Sequence, residues 1–147
     1  MDHKAHRIAV KEFLIQSRGL HHLIQFNRKR LKDLESELPS LPALQIQPDK
    51  VQVSPSGDAY FVRTMEQIEE LREELEREIA LASQINDTIC TVPPGKSRMV
   101  LLYRYQYSKT WSQIAAEMHA DNSTVRRWAN DALNEVILPD DPIMLSA

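Results

Sequence analysis

Glycine is scarce in this 147-residue chain, with three, and cysteine is scarcer, with one. So few glycines leave little room for the left-handed tight turns on which hairpin-rich β folds depend. A lone Cys90 makes no internal disulfide, which sets aside the stapled extracellular scaffolds. No apolar run approaches the ~18 residues that a membrane span needs. The opening MDHKAHRIAVKEFL lacks the unbroken apolar stretch of a signal peptide. A Gly-rich phosphate loop, a nucleophile elbow and a metalloprotease motif are all missing, so no enzyme is expected and no catalytic residue is assigned. A helical protein of the cytoplasm is the expectation, long enough for one ordinary domain or two small ones.

What is present is unevenly spread. The formal net charge of −3 speaks against a nucleic-acid binder until it is divided along the chain. Residues 1–37 carry eight Lys and Arg against five Asp and Glu, residues 58–90 three against nine, and residues 96–135 six against four. The acidity belongs to the middle segment, and both flanks are basic.

Residues 5–38 hold no proline, and Val10, Phe13, Leu20, Ile24, Leu31, Leu34 and Leu38 keep a heptad register. That pattern predicts one long helix pairing with another, with Ser17 and Asn27 as polar seam positions that set register. Gly19 marks a site for a kink. A core helix of a bundle and an intermolecular coiled coil both fit the pattern. The basic run from Arg28 to Lys32 reads as a solvated face or a partner for acidic residues, ahead of a nucleic-acid arm. Residues 39–59 hold four prolines and form a linker, in which Ile46, Val51 and Val53 alternate as in a short extended segment. Residues 59–90 read as a second long helix. Phe61, Met65, Ile68, Leu75, Ile79, Ala82, Ile85 and Ile89 face inward, and the glutamates, Glu78 among them, face solvent. Cys90 is expected as a small apolar filler at its end. Opposite charge and similar length predict that the two helices pack antiparallel, within one chain or across a dimer.

The break Thr91-Val92-Pro93-Pro94-Gly95 sets the expected boundary between an oligomerisation part, residues 1–92, and a module at 96–138. A proline-broken acidic tail follows at 139–147, either loose or docked as an extended segment. Lys96–Tyr107 reads as the module's first helix, with Ser97 as cap and Met99, Leu102 and Tyr103 on its inner face. Trp111–Leu133 then reads as helix, short turn, helix. Trp111, Ile114, Ala115, Met118, Val125, Trp128, Ala132 and Leu133 are apolar at the required spacing. Thr110 and Asp121 stand where N-caps belong, and His119 stands where the turn asks for a left-handed backbone.

Such a unit is expected to present the outer face of its second helix to the DNA major groove. Asn122, Ser123, Thr124, Arg126, Arg127 and Asn130 occupy that face or its first turn. Arginine reads guanine and asparagine reads adenine through paired hydrogen bonds. Lys109, Ser112 and Gln113 are placed for phosphates, with Arg98 and Arg104 as weaker candidates. His3 with His6, and His21 with His22, lack ligand spacing, so no metal and no cofactor is expected.

The words LLYRY, KTWSQIAAEM, STVRR and DAL within Leu101–Leu133 resemble sigma-factor region four. With the helix–linker–helix segment ahead of them, they more closely resemble small phage transcription regulators of the ArpU/RinA type. That resemblance implies a phage or prophage regulator of late genes, acting on double-stranded DNA at a promoter, in contact with host RNA polymerase; the N-terminal long helices are expected to make it a homodimer. The alternatives are a small-terminase-like packaging protein, which would form a ring, and a protein–protein adaptor that does not bind DNA.

Overall fold

A computed structural model of the chain describes residues 3–38 and 55–146, with side chains from residue 59 onward in the second stretch. The protein is all-α, and no strand occurs among the described residues. The expected extended segment around Ile46, Val51 and Val53 lies outside them. No helix among the described residues is long and apolar enough to cross a membrane.

The chain opens with α1, His3–Leu14, a 3-10 turn at Ile15–Ser17, and α2, Leu20–Glu37. The one long helix expected over residues 5–38 is therefore two. Gly19, at φ +73°, makes the break. A Cβ there would meet nothing within 4 Å, so the backbone conformation rather than crowding asks for glycine. The next helix, α3, runs Pro55–Ile89 and starts inside the expected linker. A proline is tolerated in a first helical turn, where its missing N–H would have no partner anyway. After the Pro93-Pro94-Gly95 break come α4, Lys96–Leu101, a π turn at Leu102–Gln106, α5, Trp111–Glu117, and α6, Asn122–Glu135.

The chain divides into two compact units, one of Met1–His21 with Ile79–Ala147 and one of His22–Glu78. The division does not fall at the proline break expected near residue 93. The reason is α1, which belongs with α6. His6 Nε2 lies 3.0 Å from the Val136 carbonyl, and Arg7 donates to Asn134 Oδ1 at 3.1 Å. Val10, Phe13 and Leu14 of α1 are buried in the same unit as Leu81, Ile85, Ile89, Leu101, Ile114, Val125 and Leu133.

The acidic tail is docked as an extended segment, held by two glutamines. Gln16 Nε2 donates to the Ile143 carbonyl at 2.9 Å, and its Oε1 accepts from Leu145 N at 2.9 Å. Gln84 Nε2 donates to the Asp141 carbonyl at 3.1 Å, and its Oε1 accepts from Ile143 N at 2.8 Å. Each amide thus satisfies two backbone groups of a strand-like chain that has no sheet to pair with.

In the second unit, α2 and the first part of α3 run antiparallel within the chain. Asn27 meets Glu78, Glu35 meets Arg72 at 3.5 Å, and Glu37 meets Tyr60. The Arg72–Glu35 pair sets its cation on the acidic helix and its carboxylate on the basic one, and both side chains are exposed. Ile24, Ile68, Leu71 and Leu75 are buried. Two positions of α3 differ from expectation. Ile79 and Met65 are each 41% exposed, and Glu78 and Thr64 take the inward places. Glu78 is reached by Asn27 Nδ2, 3.0 Å from each carboxylate oxygen, and both residues are buried. The polar seam position read at Asn27 therefore has its partner on the facing helix, which fixes register.

Asn27→Leu is expected to destabilise the protein by about 2–4 kcal/mol, because a buried carboxylate then loses its donor. Asn27→Leu with Glu78→Leu should recover most of that loss. Equilibrium denaturant unfolding of the two variants checks both values.

Candidate nucleic-acid interface

Thr110 caps α5 in both directions: its Oγ1 accepts from Gln113 N at 3.1 Å, and its own N–H donates to Gln113 Oε1 at 2.9 Å. At the far end, Ala120 N donates to the Ala115 carbonyl at 3.0 Å, and His119 N to the Ala116 carbonyl at 3.4 Å. His119 sits at φ +53°. Those two bonds around a left-handed residue form a Schellman stop, which ends the helix and turns the chain sharply. Four residues after α5 ends, α6 begins, with Asp121 as its N-cap residue. The Asp121 side chain accepts from the Thr124 hydroxyl. That hydroxyl, first among several causes, holds the exposed carboxyl below its ordinary range.

The inner faces of α5 and α6 share one core. Ile114, Ala115, Val125, Ala129, Ala132 and Leu133 are buried. The first helix of the module contributes differently from expectation. Val100, Leu101 and Tyr105 are buried, while Met99 is 45% exposed and Leu102 and Tyr103 are half-buried. The π turn, closed by Tyr107 N donating to the Leu102 carbonyl at 3.0 Å, follows directly on α4. The Tyr105 carbonyl then accepts from the Ser17 hydroxyl. Burial raises the Tyr105 phenol above its ordinary value. Ser97 does not cap α4; Gly95, at φ +147°, precedes the helix without a side-chain cap.

On the outer side of α6, Asn122, Ser123, Arg126, Arg127 and Asn130 are all exposed. Asn122 Nδ2 donates to Ser112 Oγ at 3.2 Å, which joins the start of α6 to the start of α5. Thr124 is half-buried and committed to Asp121. Gln113 is committed to the α5 cap. Lys109 stands 3.9 Å from Glu117 and 5.9 Å from the Tyr103 ring centroid. Arg98 is a structural clamp, donating to the Val92 and Cys90 carbonyls at 2.9 Å each, so it holds the end of α3. Cys90 itself is exposed and fills no core space.

Both tryptophans, read in sequence as core, are half-buried and carry cations. Lys96 Nζ lies 4.8 Å from the Trp128 ring centroid. Two guanidinium groups attend Trp111, that of Arg104 at 4.4 Å from the centroid and that of Arg126 at 5.7 Å. Partial burial, then the charge of Arg18, lowers the Arg104 pKa, and Arg126 adds to the effect. Lys11 of α1 lines the same region together with Arg126 and Asn130. No sequence pattern pointed to Lys11, because its place beside α6 depends on a contact between the two ends of the chain.

No family model, curated protein or solved structure matches this chain.

Among the outward residues, the geometry brings together Ser112 with Asn122, and Trp111 with Arg126 and Asn130. Arg127 and Ser123 stand on the open face, and the charge of Arg127 joins the Thr124 hydroxyl in lowering the Asp121 pKa.

Two substitutions test the turn. His119→Gly should raise stability by roughly 0.5 kcal/mol and His119→Val lower it by about 1 kcal/mol or more, because only the glycine takes a left-handed backbone without strain. Thr110→Ala should cost about 1 kcal/mol through loss of the cap. Thermal or denaturant unfolding reads all three.

Proposed function

We propose that this protein is a sequence-specific DNA-binding regulator of transcription, with α6 as the helix that enters the major groove. The observation that carries the reading is the α5–turn–α6 unit. Its inner face is buried and alanine-rich, its turn is a tight Schellman stop, and its outer face offers Ser123, Arg126, Arg127 and Asn130. Arginine and asparagine on the exposed side of such a helix match guanine and adenine edges. Ser112 and Asn122, joined at the helix starts, are suited to the phosphates that fix register.

The finer parts of the reading rest on the sequence motif LLYRY–KTWSQIAAEM–STVRR. Its resemblance to phage regulators of the ArpU/RinA type supports control of late genes in a phage or prophage, in the host cytoplasm, with RNA polymerase as protein partner. The protein acts as a homodimer without enzymatic activity. Support for the dimer comes from α2, where Leu23 is 40% and Phe26 63% exposed, one turn apart. Two copies would present α6 to half-sites about one helical turn apart.

Selection from a pool of random duplexes, followed by gel-shift titration, tests the proposal. An enriched sequence should emerge, and its affinity should fall steeply between 50 and 200 mM salt, by roughly three to five orders of magnitude for a protein contacting 6–10 phosphates. Arg126→Ala with Arg127→Ala should weaken specific binding at least ~10-fold, the low end for one lost guanine contact. A double variant that binds like the wild type would falsify the assignment of α6. Mass measurement in solution should give a dimer; a ring-sized mass would favour a packaging protein.

A further inference from the structure

Two concavities, of about 250 and 410 Å³, share Lys11, Tyr105 and Trp111 as walls. Arg126, Ala129, Asn130 and Leu133 complete the first, and Arg104 with Glu12 and Ile15 the second. Two guanidinium groups thus lie over one half-buried indole and Lys11 lines both concavities beside it, with Glu12 as the carboxylate among the described lining residues. No ion pair is found for Lys11, Arg104 or Arg126 among the described residues.

Arg104 and Arg126 each hold a guanidinium over the Trp111 ring, and partial burial, the charge of Arg18 and then that of Arg126 lower the Arg104 pKa. Arg104 Nη1 also donates to the Lys109 carbonyl at 3.2 Å, and Lys11 is exposed beside them. Like charges held close in a concave, partly desolvated site create a local field that attracts an anion. The donors suit an oxyanion. Guanidinium groups offer paired N–H bonds, the ammonium a point charge, and the Asn130 amide and Trp111 indole neutral N–H groups. The lining also includes Arg126 and Asn130, which stand on the exposed face of α6.

We propose that the concavity between α1 and α6, walled by Tyr105 and Trp111, is a phosphate-binding subsite, with Lys11 and Arg126 as its cations and the Asn130 amide beside them. Under the proposed function, on which this assignment rests for its source of phosphate, the ligand is a backbone phosphodiester beside the bases that α6 reads. The N-terminal helix then belongs to the DNA interface, and residues 96–138 alone do not make the whole of it. The same chemistry would take the phosphate of a small phosphorylated molecule.

Lys11→Gln in the full chain separates these outcomes, because its side chain is exposed and leaves the core intact. Two readouts are taken: the salt dependence of binding to the selected duplex, and the indole N–H signals during titration with inorganic phosphate, with Trp111→Phe to assign them. The variant should fold with unchanged melting temperature, bind duplex more weakly without changed base preference, and show a log–log salt slope shallower by ~0.9. An unchanged slope and affinity in Lys11→Gln overturns the subsite and leaves the proposed function standing. If the wild type binds no duplex, yet phosphate shifts the Trp111 signal in the wild type and not in Lys11→Gln, the subsite holds for a small ligand and the proposed function fails. No duplex binding and no phosphate shift overturns both. A raised or lowered melting temperature with an unchanged slope assigns Lys11 a structural role and also overturns the subsite.

Discussion

Everything in the larger unit depends on how closely α6 can be approached. Its inner face is Val125, Ala129, Ala132 and Leu133, all buried. The two alanines keep that face shallow, so neighbouring helices can lie near its axis, and Ala115 does the same from α5. It packs against α1, α4 and α5. A helix enclosed on these sides has one open strip left, and that strip carries the arginines and asparagines. The packing thereby selects which side chains face outward, and it fixes their direction without help from a ligand.

Much of this was legible in the residues. Scarce glycine and sustained 3–4 spacing pointed to an all-α chain, and that is what the structure has. The turn was legible in detail, because caps and left-handed positions are local. Thr110 and His119 adopt the roles their chemistry suits, and Asp121 holds the N-cap position. Less legible were features set by contacts distant in sequence. Heptad spacing passes across Gly19 without a gap, since Val10, Phe13, Leu20 and Ile24 are all buried, so periodicity alone concealed the division into α1 and α2. At residues 78 and 79 an apolar side chain stands beside an acidic one, and hydropathy favours Ile79. Asn27 on the facing helix reverses that order by giving Glu78 a buried donor. On α4, Val100 and Leu101 are buried where spacing favours Met99 and Leu102. Lys11 was illegible because its neighbours arrive from the other end of the chain.

Polar groups do much of the specifying. Among the described residues, no buried side-chain nitrogen or oxygen lacks a hydrogen-bond partner. Asn27 with Glu78, Ser17 with the Tyr105 carbonyl, and Arg98 with the Cys90 and Val92 carbonyls each join segments that apolar contact alone would align loosely. A buried polar contact tolerates little sliding, because a shifted register leaves its donor or acceptor unsatisfied.

The placement of α1 and the glutamine-held tail in one unit also sets an entropic cost on forming that unit. Residues 22–78 are an insertion between its two stretches. During synthesis α1 emerges early and waits for α6, which emerges near the end. Closing so long a loop is entropically costly and slow when the intervening chain is unstructured. The antiparallel pairing of α2 with the start of α3 uses contacts nearer in sequence and can precede that closure. Once those helices are paired, Asn27 and Glu78 lie in contact, which shortens the effective loop that the larger unit has to close.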